Sequence, residues 1–140
     1  MPSNPPVEGL HHIGIAVPSI RDALPRWTGL GLVLQSVEDV PQEKVKVAVL
    51  RAGTTRIELV EPLSPDSPVA KFLEKRGPGI HHLAFEVGDC QEKIDAMVAD
   101  GAPMLSKTPT KGAHDCMIAF VHPKHLGGVL AELVEDPHHE

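Results

Sequence analysis

Apolar and polar positions alternate along Leu10-His11-His12-Ile13-Gly14-Ile15-Ala16-Val17, which is the period of a β-strand. The pattern returns along Ile80-His81-His82-Leu83-Ala84-Phe85-Glu86-Val87. After each strand the period lengthens to that of a helix. In the first case Ser19 can cap, and Ile20, Ala23, Leu24 and Trp27 keep helical spacing. Pro25 predicts a kink or an early stop there. In the second case Asp89 and Glu92 form a capping-box-like pair, followed by the stripe Ile94, Met97 and Val98. Gly101 stands where a C-terminal cap is expected. Further strands are predicted at 33–37, 45–50 and 56–60, and again at 104–106, 116–121 and 129–134.

The two stretches are copies. Ile57-Glu58-Leu59-Val60-Glu61-Pro62 also recurs, as Ala131-Glu132-Leu133-Val134-Glu135-Asp136. The offsets are 70 for the first motif and 74 for the second, in the same order. A tandem duplication follows, with each copy reading β-α-β-β-β. The predicted class is α+β. A single domain over 1–140 would hold module one at about 9–63, a linker helix at about 67–76 and module two at about 79–136. Ser67 caps the linker helix and Pro68 takes its first position. Residues 2–6 and 136–140 are expected to fray.

Composition narrows the functional classes. A chain of 140 residues with 41% hydrophobic and 23% charged side chains is an ordinary globular domain. A net charge of −6 argues against nucleic acid and against anionic membranes as partners. Aromatic residues are only 3%, too few to build a base-stacking platform. No apolar run approaches the ~20 residues that span a bilayer. The N-terminal stretch lacks the look of a secretory leader, and Cys90 and Cys116 are too few for a disulfide framework. A cytoplasmic protein with reduced thiols is expected.

Nine histidines are many for a chain of this length. Strand alternation puts Leu10, His12, Gly14 and Ala16 on one face, and His11, Ile13, Ile15 and Val17 on the other, which reads as core. His12 and His82 are thus equivalent, as are Glu58 and Glu132. Two copies facing each other would bring two imidazoles and two carboxylates to one point. That mixed set suits a divalent Co, Ni, Zn, Mn or Fe ion better than the all-oxygen cage of calcium. His11 and His81 read as structural, with orientation of the ligands as a secondary role.

These residues carry a resemblance. His11–Val17, Glu58-Leu59-Val60-Glu61-Pro62-Leu63, Gly79–Val87, Gly112-Ala113-His114, His122-Pro123-Lys124 and Gly127–Leu133 resemble the vicinal oxygen chelate superfamily. Its members pair β-α-β-β-β modules around a metal in a cupped mixed sheet, the glyoxalase-like fold. Within it the chain is most similar to the methylmalonyl-CoA epimerase family over about residues 9–135. The His and Glu positions are common to the superfamily. The approach Ser64–Ser67 to Pro68, the Gly-Ala-His and the His-Pro-Lys stretches point to the epimerases.

The resemblance implies metal ligands at His12, Glu58, His82 and Glu132, with Glu58 where the family often has Gln. It implies a divalent ion, Co2+ foremost, with Zn2+, Ni2+ or Mn2+ as substitutes. It implies inversion of (R)- and (S)-methylmalonyl-CoA by abstraction of the α-proton and formation of an enolate. Glu132 would serve one face of that carbon as catalytic residue. The family's loop Glu falls on Gln42 here, with Glu43 beside it. Glu43 is therefore the candidate for the opposite face, with Glu58 or a nearby group as the alternative. Lys44, Lys46, Lys111 and Lys124 are candidate contacts for an acyl-CoA, and His114 and His122 for its carboxylate or thioester. Rival readings are a lactoylglutathione lyase, an extradiol dioxygenase, and a metal-free small-molecule-binding resistance protein. A homodimer is expected from base rate.

Overall fold

The computed structural model describes residues 4–138. Eight strands and three helices follow one another. They are β1 (Gly9–Ala16), α1 (Ile20–Leu30), β2 (Val33–Val40), β3 (Val45–Ala52), β4 (Thr55–Pro62), α2 (Pro68–Arg76), β5 (Gly79–Glu86), α3 (Cys90–Ala99), β6 (Thr110–Lys111), β7 (Met117–Val121) and β8 (Ala131–Glu135). They fall into two compact units. One is continuous, His12–His81; the other joins residues 4–11 to 82–138. The chain passes between units inside β1 and inside β5, at each His-His pair.

In the continuous unit the strand order is β2-β3-β4-β1. The first two pairings are antiparallel and β1 joins β4 in parallel. One face carries α1. Val17, Ile20, Ala48, Leu50 and Leu59 are buried there, with Ile15, Leu24, Trp27 and Ile57 packed around them. The period-two faces and the helical stripe read from the sequence are therefore the surfaces that meet. Ser19 caps α1 by accepting from Asp22 N, and Gly31 ends it with φ 114°. Pro25 does not stop the helix, which runs on to Leu30. The proline removes one N–H, and packing of Leu24 and Trp27 on the sheet outweighs that loss.

The discontinuous unit repeats this plan in the order β5-β8-β7-β6, with β5 and β8 parallel. Its core of Val87, Cys90, Ile94, Ala119, Val121, Ala131 and Leu133 sits beneath α3. Asp89 caps α3 through Glu92 N, and Gly101 follows with φ 83°. The strand predicted at 104–106 is reduced to a single bridge, Met104 to Val121, and the edge is finished by the two-residue β6. Pro103 and Pro109 flank this stretch and cannot donate to a ladder.

The chain ends also differ from expectation. Residues 2–3 and 139–140 lie outside the described residues. Among the described residues, Lys93 Nζ donates to Asn4 Oδ1 and to Pro5 O, and Glu8 N donates to Glu86 O at 2.8 Å. His11 Nε2 meets Asp136 Oδ2 at 2.7 Å, and Asp136 accepts from His138 N. Both ends are tied down by partners far away in sequence, which local composition does not reveal. Among the described residues no helix is long and apolar enough to cross a membrane.

Candidate functional site

Each unit builds the same buried pair. In the continuous unit, β1 and β4 are registered with Gly14 opposite Glu58. His12 lies two residues earlier on the same face, a diagonal neighbour of Glu58. With only glycine directly opposite, the carboxylate turns to the imidazole, and His12 Nδ1 stands 3.2 Å from Glu58 Oε2. In the other unit, Ala84 lies opposite Glu132, and His82 Nε2 stands 3.1 Å from Glu132 Oε1. All four residues are 4–7% exposed. Charges are rarely buried so deeply unless paired or ligated. A small residue across the ladder is the local device that both pairs share.

His11 and His81 take structural roles. His11 bonds Asp136, as described, and Cys116 Sγ completes a group of three possible donors within 4.8 Å of one another. His81 stands edge-on to Phe72 of α2, with ring centroids 4.9 Å apart and planes at 82°. Arg76 lies over the same Phe72 ring, 5.9 Å from its centroid.

A second repeated pair was not foreseen from the sequence. Glu61 Oε1 accepts from Ile20 N at 2.7 Å, and Glu135 Oε1 accepts from Cys90 N at 2.8 Å. Each helix thus has its first N–H satisfied by a carboxylate from the last strand of its own copy. Glu61 lies three residues after Glu58, and Glu135 three after Glu132, so each points to the opposite face from its predecessor. One strand therefore offers one carboxylate to the His and one to the helix. The repeated Glu-x-x-Glu spacing was the available signal.

Glu43 and Gln42 lie on a 3-10 turn, Pro41–Glu43, between β2 and β3. Gln42 is exposed and Glu43 half-buried. Of the basic and imidazole candidates, Lys44 is engaged by Asp66, and Lys111 stands 3.6 Å from Asp115. Lys124 is exposed and Lys46 half-buried. His122 Nδ1 accepts from Lys124 N at 3.0 Å, so that ring caps the turn Pro123–Leu126. His114 is exposed, with φ 56°, and Asp115 follows with φ 62°. Two consecutive left-handed residues other than glycine are a strained backbone, held between Gly112 and Cys116 by Gly112 N to Cys116 O at 2.8 Å.

The family model described as Glyoxalase/Bleomycin resistance protein/Dioxygenase superfamily matches residues 11–120. An ethylmalonyl-CoA/methylmalonyl-CoA epimerase of Cereibacter sphaeroides is 39% identical over 127 residues, covering 89% of this chain and 95% of that one. The crystal structure of methylmalonyl-CoA epimerase from Mycobacterium tuberculosis is 37% identical, with a TM-score of 0.90 over 97% of this chain and 93% of that one. A methylmalonyl-CoA epimerase in complex with methylmalonyl-CoA and NH4+ is 30% identical, with a TM-score of 0.89 over 95% and 97%. The fold expected from the duplicated motifs is thus the fold of these proteins.

Proposed function

Because the chain belongs to the glyoxalase/bleomycin resistance protein/dioxygenase superfamily, and within it to the methylmalonyl-CoA epimerases, we propose that it interconverts (R)- and (S)-methylmalonyl-CoA. The observation that carries this reading is the His–Glu pair buried in each copy.

His12 and Glu58, with His82 and Glu132, would hold one divalent cation, Co2+ foremost. The donor chemistry fits: two borderline imidazole nitrogens and hard carboxylate oxygens, all buried. When bound, the cation supplies Lewis-acid polarisation of the substrate's thioester and carboxylate oxygens.

The substrate's α-carbon lies between a thioester and a carboxylate, which makes its hydrogen acidic. Inversion needs a base on one face and an acid on the other. Glu132 takes the α-proton on one face, and the electron pair moves into the thioester to give an enolate. Glu43, protonated, returns a proton to the opposite face of the same carbon. In the reverse direction the two carboxyls exchange roles. Exchange with water resets both, so solvent hydrogen enters the product. The acyl-CoA is the small-molecule partner; a homodimer in the cytoplasm, without nucleic acid or membrane, completes the proposal.

The test is deuterium incorporation at the α-carbon of methylmalonyl-CoA in D₂O, with Co2+ added or removed by chelator. Incorporation that depends on the metal and yields both enantiomers is the expected result. No incorporation, with turnover of a glutathione hemithioacetal instead, would replace this reading with the lyase. Binding without turnover of either would favour the resistance-protein reading.

A further inference from the structure

The turn Ser64-Pro65-Asp66-Ser67 belongs to the stretches that single out the epimerases, yet it lies outside the strands that carry the His–Glu pairs. It has another partner. Lys44 Nζ donates to Asp66 Oδ2, and Ser64 Oγ donates to Asp66 Oδ1. The main chain joins at the same place, where Leu63 N donates to Lys44 O at 2.9 Å. Lys44 follows Glu43 directly and closes the 3-10 turn through its N–H to Pro41 O at 3.0 Å. It does so at φ 58° and ψ 37°, a left-handed conformation that lysine adopts only when its surroundings over-determine it. All of these groups lie within the continuous unit.

We propose that Lys44, Asp66 and Ser64 form a clasp that positions Glu43 for proton transfer. The proposal rests on Glu43 being the second base. The chain of constraint is short. The Ser64 hydroxyl fixes the Asp66 carboxylate, the carboxylate holds the Lys44 ammonium, and Lys44 is bonded to Glu43. Pro41 restricts the other end of the turn. The base-bearing turn is therefore a braced element rather than a loose lid. Lys44 and Ser64 hold the Asp66 carboxyl down at about 2, so that carboxylate stays charged at any working pH. The pair is 49% and 64% exposed, so its loss costs little stability. What it controls is geometry, and small misplacements of a reacting group cost rate steeply.

The experiment compares α-proton exchange from each enantiomer in D₂O, together with KM, metal content and the urea midpoint. Glu43→Gln is the reference and should slow one enantiomer far more than the other. Asp66→Asn and Lys44→Gly should slow that same enantiomer by roughly three- to tenfold. Lys44→Gly keeps the left-handed turn and removes only the side chain. KM, metal content and the urea midpoint should stay near wild type in both, and Asp66→Glu should restore most of the rate. If Glu43→Gln is asymmetric and Asp66→Asn behaves as wild type, the clasp is refuted and the base assignment stands. If Glu43→Gln slows both enantiomers equally or neither, the base assignment fails and takes the clasp with it. A KM that rises in Lys44→Gly and falls in Asp66→Asn would make Lys44 an acyl-CoA contact, which also overturns the proposal.

Discussion

Glu58 is flanked in its sheet by Gly14 on β1 and Val49 on β3; Glu132 is flanked by Ala84 on β5 and Phe120 on β7. His82 meets the Phe120 ring edge-on at 6.0 Å, a contact made on the second copy's side of the duplication. His12 turns Nδ1 to its carboxylate and His82 turns Nε2. Around these pairs the copies diverge further. The first has an eight-residue β2 leading into the Glu43 turn; the second has a two-residue β6 and the strained stretch at His114 and Asp115. What was duplicated and kept is the pair itself and the carboxylate that satisfies the helix. What diverged is the loops. A metal cage benefits from symmetry, whereas proton transfer to and from a single carbon needs one acid–base group on each of its two faces, which a repeated pair on one strand face does not by itself supply.

The largest effect should come from the carboxylates that the duplication makes equivalent. Glu132→Gln should lower α-proton exchange by about 10²–10⁴, the usual contribution of a general base, even where metal is retained. Glu58→Gln should cost less than about tenfold, because an amide oxygen still serves as a ligand. Exchange rates read beside metal stoichiometry decide this. Equal losses in the two variants would return the copies to functional symmetry.

Next come the helix carboxylates, where the copies should agree. Glu61→Ala and Glu135→Ala should each cost about 1–2 kcal/mol in urea unfolding, as expected for a buried donor losing its partner. Gln at either position should recover much of it. A large loss in one copy and none in the other would show that only one of the two bonds matters.

A smaller effect separates Lys93 from Ala23, its counterpart in the first copy. Burial lowers the Lys93 ammonium below its ordinary 10.5. Below pH 10.5 the unfolded chain then holds a proton that the folded chain has begun to release, so stability rises with pH through that window. Lys93→Ala, which makes the second copy like the first, should flatten that part of the stability profile relative to wild type. The smallest effect concerns Cys90, which stands where the first copy has Ile20. Burial pushes its thiol up to about 12, so it should resist alkylation at pH 8 in the folded protein and react only in urea. Mass spectrometry of the labelled chain reads this directly.

The His and Glu pairs were legible because repetition and strand parity act together: each pair lies on one face by counting, and its copy removes the ambiguity. Glu61 and Glu135 repeat just as clearly, but counting cannot say which helix end a strand's other face will meet. The strand expected at 104–106 failed because the duplication suggested an element that the flanking prolines no longer support. The break between β2 and β3 at Pro41–Glu43 was legible as a loop, with Gln42 in the register of the family's residue; the half-burial of Glu43 came only with the fold. Its brace was invisible, since Lys44 and Asp66 are 22 residues apart and look like ordinary surface charge.

The passage of the chain between units at the two His-His pairs sets the order in which the protein can be made. Residues 4–11 are made before the stretch His12–His81, yet their partners Glu86, Lys93 and Asp136 all lie after it. Asn4 waits for Lys93, 89 residues later, and His11 waits for Asp136, 125 residues later. The stretch His12–His81 has all of its own strands in hand and can close while synthesis continues. The N-terminal segment is then the clamp of the second unit, supplied in advance and held open. A nascent chain arrested with α2 outside the tunnel should already protect the amides of β3 and β4, while the Glu8 amide, bonded to Glu86 O in the folded protein, should still exchange freely.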